Sequence, residues 1–294
     1  MNWFILALIS ALFSAVSAVS EKKALFTLNA LEFSFIVSVL TLLLSLPFFF
    51  TIKLTELTSI SLIILFFKTV LSAGAFLCVM FSIKNLEISE ALPLLALSPG
   101  LVAIAGVIFV NDILSGIEWL GIILMVIGAY ILELRKGSNN LLDPFKAMFS
   151  FSKYSYVFIA LILFTITSLL DRVLLKEYKL PPYTFMAFQQ LFYALIFAVI
   201  VFVSQSSILK QRKSINKKIF YLIIAISFFT VIYRYTQIEA TKLAPVAMVL
   251  SIKRLSVLIA VISGGKLFSE ENLYRRIAAV IIILVGATLL MNNG

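Results

Sequence analysis

The segment ILMVIGAYIL at residues 123–132 has a counterpart in IIILVGATLL at residues 281–290, with Gly128 and Gly286 at the same position in the two segments. Both segments are apolar and uncharged, which is typical of helices in contact with lipid. An Ala-Pro or Ala-Leu-Pro sequence also opens the apolar run that precedes each segment. The repeated pattern indicates that the chain consists of two related halves.

The composition excludes a water-soluble domain. Of the 294 residues, 62% are hydrophobic and 13% are charged, whereas soluble domains have about 25% charged residues. A hydrocarbon core of roughly 30 Å requires about 20 apolar residues per helix. Ten runs meet this requirement, at residues 2–20, 31–50, 60–83, 90–110, 115–134, 154–175, 183–204, 218–239, 244–264 and 272–292. We therefore predict an all-α integral membrane protein with ten transmembrane helices.

The longest hydrophilic interruption lies at residues 135–146, between the fifth and sixth runs. It divides the chain into a first five-helix repeat at residues 1–136, a cytoplasmic linker at 137–153 and a second five-helix repeat at 154–294. Because five is an odd number, the second repeat enters the membrane from the side opposite to the first. The sequence thus predicts two inverted repeats, an architecture typical of transporters that work by alternating access.

The distribution of positive charge predicts the orientation. Fifteen of the 24 Lys and Arg residues fall in the loops after odd-numbered helices, and four fall on the other side: Lys53, Lys176, Lys179 and Lys242. Because Lys and Arg accumulate in cytoplasmic loops, both termini are predicted to lie outside, with the protein in the plasma (inner) membrane. The net charge of +10 then reflects topology, and we expect no nucleic-acid partner.

Five cations lie inside the predicted spans. At 1.5 Å per residue, Lys253 and Arg254 lie about 14–15 Å from the start of the ninth helix, at the membrane midplane. Lys68, Arg172 and Arg234 lie roughly a third of the way in from the outer face on the same reckoning. A charge at the helix centre costs about 2.5–3.5 kcal/mol on insertion scales. These five residues are therefore candidates for binding an anionic substrate.

Internal ion pairs are an alternative for part of this set. Asp171 is adjacent to Arg172, and Glu239 follows Arg234 by about one turn at the end of the eighth helix. Lys68 can also extend its side chain to the outer interface. The two acids, Glu239 and Asp171, are at the same time the candidate residues for coupling transport to protons.

Uncharged polar residues in the same helices are candidates for orienting a ligand: Ser251, Tyr233, Gln189 and Gln237. Side chains of this kind also form hydrogen bonds between membrane helices. Both roles stay open at this point.

Several functions are excluded by what the sequence lacks. It has no His, and its single Cys78 cannot form an intrachain disulfide. There is no Gly-rich phosphate loop and no nucleophile motif, so we expect neither an enzyme nor a bound metal or cofactor. No loop is long enough for a nucleotide-binding domain, so any transport would be secondary. The expected partners are a small-molecule substrate and membrane lipids, with a homodimer possible.

Residues 243–290 contain a more specific set of features: an opening Ala-Pro, the sequence Ser-x-Lys-Arg at residues 251–254, Leu267-Phe268 followed by Glu270, and Arg276 ahead of a Gly-containing helix. This pattern resembles the EamA-type members of the drug/metabolite transporter superfamily. The Lys253-Arg254 pair is similar to that of the sugar-phosphate translocators of the superfamily, where the pair grips the substrate phosphate. The resemblance implies a transporter of a small polar metabolite and favours an anionic one.

Our leading hypothesis is thus a secondary transporter of an organophosphate or carboxylate, with a central cavity between two inverted repeats. A proton-coupled exporter of amino acids or drugs, using Glu239 or Asp171, is the first alternative. The second is a lipid-head-group flippase or a membrane scaffold without transport activity.

Overall fold

The computed structural model describes residues 2–25, 27–53, 57–85, 97–133, 151–203, 217–256 and 273–293. Within these ranges the chain forms one helix for each predicted span. The helices are α1 (Trp3–Leu25), α2 (Ala30–Phe49), α3 (Ser59–Asn85), α4 (Ser98–Phe109), α5 (Gly116–Glu133), α6 (Phe151–Lys176), α7 (Pro182–Val203), α8 (Lys217–Leu243), α9 (Val246–Lys253) and α10 (Leu273–Asn293). Their positions confirm the predicted all-α fold.

Some helix ends differ from the predicted spans. α1 continues to Leu25 and α8 to Leu243, beyond the predicted ends at residues 20 and 239. α9 ends at Lys253, Arg254 forms a turn, and residues 255–256 are helical again. The start of the predicted fourth span and the rest of the ninth lie outside the described residues. Residues 137–150 of the linker predicted at 137–153 and the basic loop at 204–216 also lie outside them, and the last three residues of that predicted linker belong to α6.

The distribution of side chains is that of a protein surrounded by lipid. Large apolar residues on the outside, such as Leu43, Ile63 and Ile162, are more than half exposed. The interior contains polar side chains, among them the buried Ser10 and Thr41. Within the described part of the chain, five segments are long and apolar enough to cross a membrane: Leu31–Phe49, Ser59–Val79, Ser155–Lys176, Pro182–Val203 and Lys217–Leu243. Apolar residues are exposed and polar residues are inside because the surrounding solvent is hydrocarbon.

The two halves, α1–α5 and α6–α10, pack on each other in a twofold arrangement. α1 packs mainly against α8, and α6, the counterpart of α1, packs against α3, the counterpart of α8. α2 packs against α7, α4 against α9 and α5 against α10, so each of these contacts joins a helix to its own counterpart. Exchange of the two halves leaves this pattern unchanged, as the sequence repeat predicts.

α5 and α10 cross at glycines of the repeated segments. A Cβ atom on Gly286 would lie 2.7 Å from the Gly121 carbonyl oxygen, and one on Gly128 would lie 2.9 Å from the Ala279 carbonyl oxygen. Small residues allow two membrane helices to approach this closely. Because residue numbers rise along α5 as they fall along α10, the two helices are antiparallel. α5 and α10 are counterparts, so the two repeats have inverted orientations.

The crossing predicts a stability effect of one added methyl group. Gly286→Ala should lower the free energy of unfolding by about 1–3 kcal/mol, the range for overpacking, because the nearest atoms include the backbone of α5. Thermal unfolding in detergent measures the change. Gly116→Ala is the matched control, since a Cβ there meets nothing within 4 Å. An equal loss of stability in the two variants would contradict the close crossing.

Candidate functional site

Lys68 and Asp171 form a buried ion pair between the two halves. Lys68 lies in α3 with 1% of its surface exposed, and its Nζ is 2.7 Å from Asp171 Oδ1 on α6. The Lys68 ammonium is also 5.1 Å from the centroid of the Phe185 ring. The alternative that Lys68 extends to the outer interface is therefore wrong, because its charge has a carboxylate partner in the interior.

Gln189 connects this pair to a second cation. The side chain lies on α7, is fully buried, and is oriented by the donors around it. With its oxygen turned toward them, it accepts hydrogen bonds from Lys68 Nζ and, at 3.0 Å, from Arg234 Nη2 on α8. Tyr193, one turn later on α7, hydrogen-bonds Ser72 on α3 and interacts electrostatically with Arg234. Polar groups from helices α3, α7 and α8 thus surround the Gln189 side chain.

Lys253 lies at the carboxyl end of α9. Its Nζ donates a 2.6 Å hydrogen bond to Gln237 Oε1 on α8 and is 4.8 Å from the centroid of the Tyr233 ring. Glu21 on α1 interacts with Lys253 electrostatically, and it accepts a hydrogen bond of 2.8 Å from Ser17. The structure therefore brings together three predicted site residues, Lys253, Gln237 and Tyr233.

The groups around Gln189 and around Lys253 belong to one site. Arg234 directly follows Tyr233 on α8, and the Arg234 and Lys253 charges are close enough to repel each other. We call Lys68, Arg234 and Lys253, with Asp171 and the two glutamines Gln189 and Gln237, the cation cluster. The first half of the chain contributes Lys68, and the second half contributes the other members.

Arg254 joins α9 to its counterpart α4. Its Nη2 donates a 2.5 Å hydrogen bond to Ser98 Oγ at the start of α4. Because α9 ends at Lys253, the negative end of its dipole lies beside both cations and stabilises their charge. The apolar run of the ninth span gave no indication of this break.

Arg172 makes its contacts at the ends of α4, α6 and α8. Its Nε is 3.3 Å from Asp112 Oδ1, and its Nη1 donates a hydrogen bond of 2.7 Å to the Thr241 carbonyl oxygen. The alternative in which Asp171 pairs with Arg172 is wrong. Neighbouring side chains on a helix point about 100° apart, so the two residues meet different helices.

The two remaining predicted site residues are Ser251 and Glu239. Ser251 is fully buried, and its hydroxyl has no hydrogen-bond partner among the described residues. Glu239 accepts a 2.9 Å hydrogen bond from Tyr235, whose ring stacks on Phe48. A pair between Glu239 and Arg234 is therefore not formed, and Arg234 has Gln189 as its acceptor instead.

Four groups at these positions were not predicted from the sequence: Asp112, Glu21, Ser98 and the Thr241 carbonyl. For Glu21 a signal was present, since it directly follows an apolar run and a helix can extend to include it. Asp112 lies in the loop just after α4, shortly beyond the end of the predicted span. For Ser98 and Thr241 no pattern in the sequence indicates a contact with an arginine from another helix.

Comparison with known proteins agrees with this architecture. The model of the EamA-like transporter family matches residues 1–134 and 151–292. Among 29 matching chains of solved structures, one, described only as the crystal structure of a protein, covers 98% of this chain and 95% of its own length. It has a TM-score of 0.78 at 11% identity, which shows similarity of fold alone. No curated protein matches the sequence.

The match to the family model, on a fold of two helical repeats, identifies a membrane transporter of the drug/metabolite transporter type. The family match covers most of both halves, and the chain belongs to the EamA-like transporter family. Members of this family are in general transporters and not enzymes.

Proposed function

We propose that this protein is a secondary transporter of a small organic anion with a phosphate or carboxylate group. One observation supports this more than any other. Among the described residues, Arg234 and Lys253 have the neutral oxygens of Gln189 and Gln237 as hydrogen-bond acceptors. Asp171 is the one described carboxylate within ion-pair distance of a cation of the cluster, and that cation is Lys68.

The energetics of buried charge favour an anionic ligand. Each cation removed from water costs several kcal/mol unless an opposite charge offsets it. A phosphate or carboxylate would form charge-assisted hydrogen bonds with Arg234 and Lys253, which are roughly twice as strong as neutral ones. A neutral ligand would only replace the contacts that the glutamines already provide.

The position of the cluster between the repeats suggests the transport mechanism. A ligand bound there touches Lys68 from the first repeat (residues 1–136) and the other members from the second (residues 154–294). In inverted-repeat transporters, one repeat moves against the other around such a site. We propose alternating access of this kind, with both termini outside and the protein in the plasma (inner) membrane.

A proton-coupled exporter of amino acids or drugs is the second candidate. The observation that favours it is the position of Asp171, a carboxylate inside the cluster that is paired with Lys68 at 2.7 Å. Glu239 is less suited to this role, because its described side-chain partner is Tyr235. Flux of a cationic substrate that follows the pH gradient would favour this candidate.

Charge reversal tests the proposed function. Lys253→Glu and Arg234→Glu should each weaken anion binding about 100-fold or more, because a charged hydrogen bond is worth about 1.5–3 kcal/mol and a repulsion replaces it. Binding is measured by thermal shift and calorimetry with glucose 6-phosphate, malate, glutamate and AMP. Transport of the tightest binder is then measured in proteoliposomes.

Lys179→Glu is the matched control. It reverses one charge at an exposed position outside the cluster and should leave binding unchanged. If none of the four anions binds the wild-type protein, or if both cluster variants bind like the wild type, the anion-transport proposal is wrong.

A further inference from the structure

The Gln189 carboxamide lies where an oxygen of an anionic ligand would bind. It has no exposed surface, and its oxygen accepts from Lys68 Nζ and Arg234 Nη2 together. A carboxylate has the same planar shape and carries a full negative charge. Two cationic donors that converge on one oxygen are the arrangement with which proteins hold carboxylates and phosphates, yet here the acceptor is neutral.

The charges around this oxygen do not balance. Lys68 and Arg234 are positive, and they repel each other electrostatically. Asp171, which pairs with Lys68, is the described carboxylate that interacts with both of them. The described groups around Gln189 are therefore two cations and one carboxylate, which leaves one positive charge without a negative partner.

A glutamate at position 189 would remove this imbalance. The carboxylate would meet the same two donors without any change in side-chain length, and the group would then hold two cations and two carboxylates. The chain would thus satisfy its own cations, and an arriving anion would meet a negative charge where it now meets a neutral oxygen.

We propose that Gln189 determines the charge selectivity of the site: because it is neutral, Lys68 and Arg234 remain available to an anionic group of the substrate. This inference rests on the proposed function and deepens it. The phosphate or carboxylate of the substrate displaces the Gln189 oxygen from the two cations and takes its place between α3 and α8.

The neighbouring glutamine offers a matched control. Gln190 is also buried in α7, but it points to α2, where its Oε1 accepts a 3.0 Å hydrogen bond from Thr41. Its amide nitrogen faces the Met186 sulfur at 3.7 Å. Gln190→Glu places the same carboxylate one residue away, without a cation in the described contacts of that side chain.

The experiment compares Gln189→Glu, Gln190→Glu and the wild type by thermal unfolding and by binding of glucose 6-phosphate, malate, glutamate and AMP. We expect Gln189→Glu to raise the melting temperature of the ligand-free protein and to weaken anion binding at least 10-fold. Gln190→Glu should lower the melting temperature and bind anions like the wild type. Should Gln190→Glu not fold, Lys179→Glu, at an exposed position outside the cation cluster, takes its place as the control and should bind anions like the wild type.

The outcomes separate the two proposals. If the wild type binds an anion and Gln189→Glu binds it equally well, the selectivity role of Gln189 is wrong and the proposed function stands. If Gln189→Glu is less stable than the wild type, the inferred excess of positive charge around Gln189 is wrong, and the selectivity role of Gln189 is wrong with it. If the wild type binds none of the four anions, the proposed function fails together with this inference.

Discussion

Replacement of Asp171 with Asn is expected to lower the free energy of unfolding by about 3–5 kcal/mol, the range for breaking one partner of a buried pair. The substitution keeps the size of the side chain and removes its charge. Lys68, with 1% of its surface exposed, would then be a buried ammonium next to Arg234 without a carboxylate at ion-pair distance. Unfolding with SDS in mixed micelles measures the loss.

Replacement of the other partner, Lys68, should lower the free energy of unfolding by less. Lys68→Met leaves Asp171 with Arg234, which interacts with it electrostatically. This variant therefore removes one cation from a group of two cations and one carboxylate, and the remaining charges balance. The double variant Lys68→Met/Asp171→Asn should recover most of the stability lost in Asp171→Asn. If both single variants lose the same amount and the double variant loses their sum, the two residues are not coupled and the pair does not stabilise the fold.

The helices could be predicted from the sequence because the membrane imposes one simple requirement, a run of about 20 apolar residues. The run predicted at residues 31–50 became α2, Ala30–Phe49. The inverted repeat was predictable as well, since Gly128 and Gly286 occupy equivalent places at one helix crossing. Helix ends were less predictable: α1 reaches Leu25 because the added residues, among them Glu21, still have partners in the bundle.

The contacts inside the site could be predicted only in part. Depth along a helix indicated which cations are buried, but not which acids they meet. Sequence neighbours suggested that Asp171 pairs with Arg172, whereas helix geometry turns Asp171 toward α3 and Arg172 toward the loop after α4. Their partners, Lys68 and Asp112, are distant in sequence, and only the packing of the two halves brings them together. The roles of Ser251 and Glu239 in binding or coupling remain predictions.

The second large effect concerns Asp112 and Arg172. Asp112→Asn should lower the free energy of unfolding by about 3 kcal/mol, the lower end for a buried pair, because the Arg172 guanidinium keeps its hydrogen bond to the Thr241 carbonyl. Both charged side chains are nearly buried, at 9% and 4% exposure. SDS unfolding of the detergent-solubilised protein measures the change.

Lys176→Gln is the control for this effect. Lys176 Nζ lies 3.6 Å from the same carboxylate oxygen, but its side chain is 37% exposed, and exposed pairs contribute about 1 kcal/mol or less. Its loss should therefore be much smaller than that of Asp112→Asn. Equal losses would mean that burial does not determine the strength of these pairs.

A variant of Arg172 itself distinguishes a structural role of this residue from the substrate-binding role predicted for it. Arg172 ties α6 to the end of α8 and to the loop after α4 through contacts that are complete without a ligand. Arg172→Gln should therefore lower stability while the affinity for anions, measured below the melting temperature, stays within about threefold of the wild type, a difference of under 1 kcal/mol. A 100-fold loss of affinity, as expected for Arg234→Glu, would instead place Arg172 among the residues that hold the substrate.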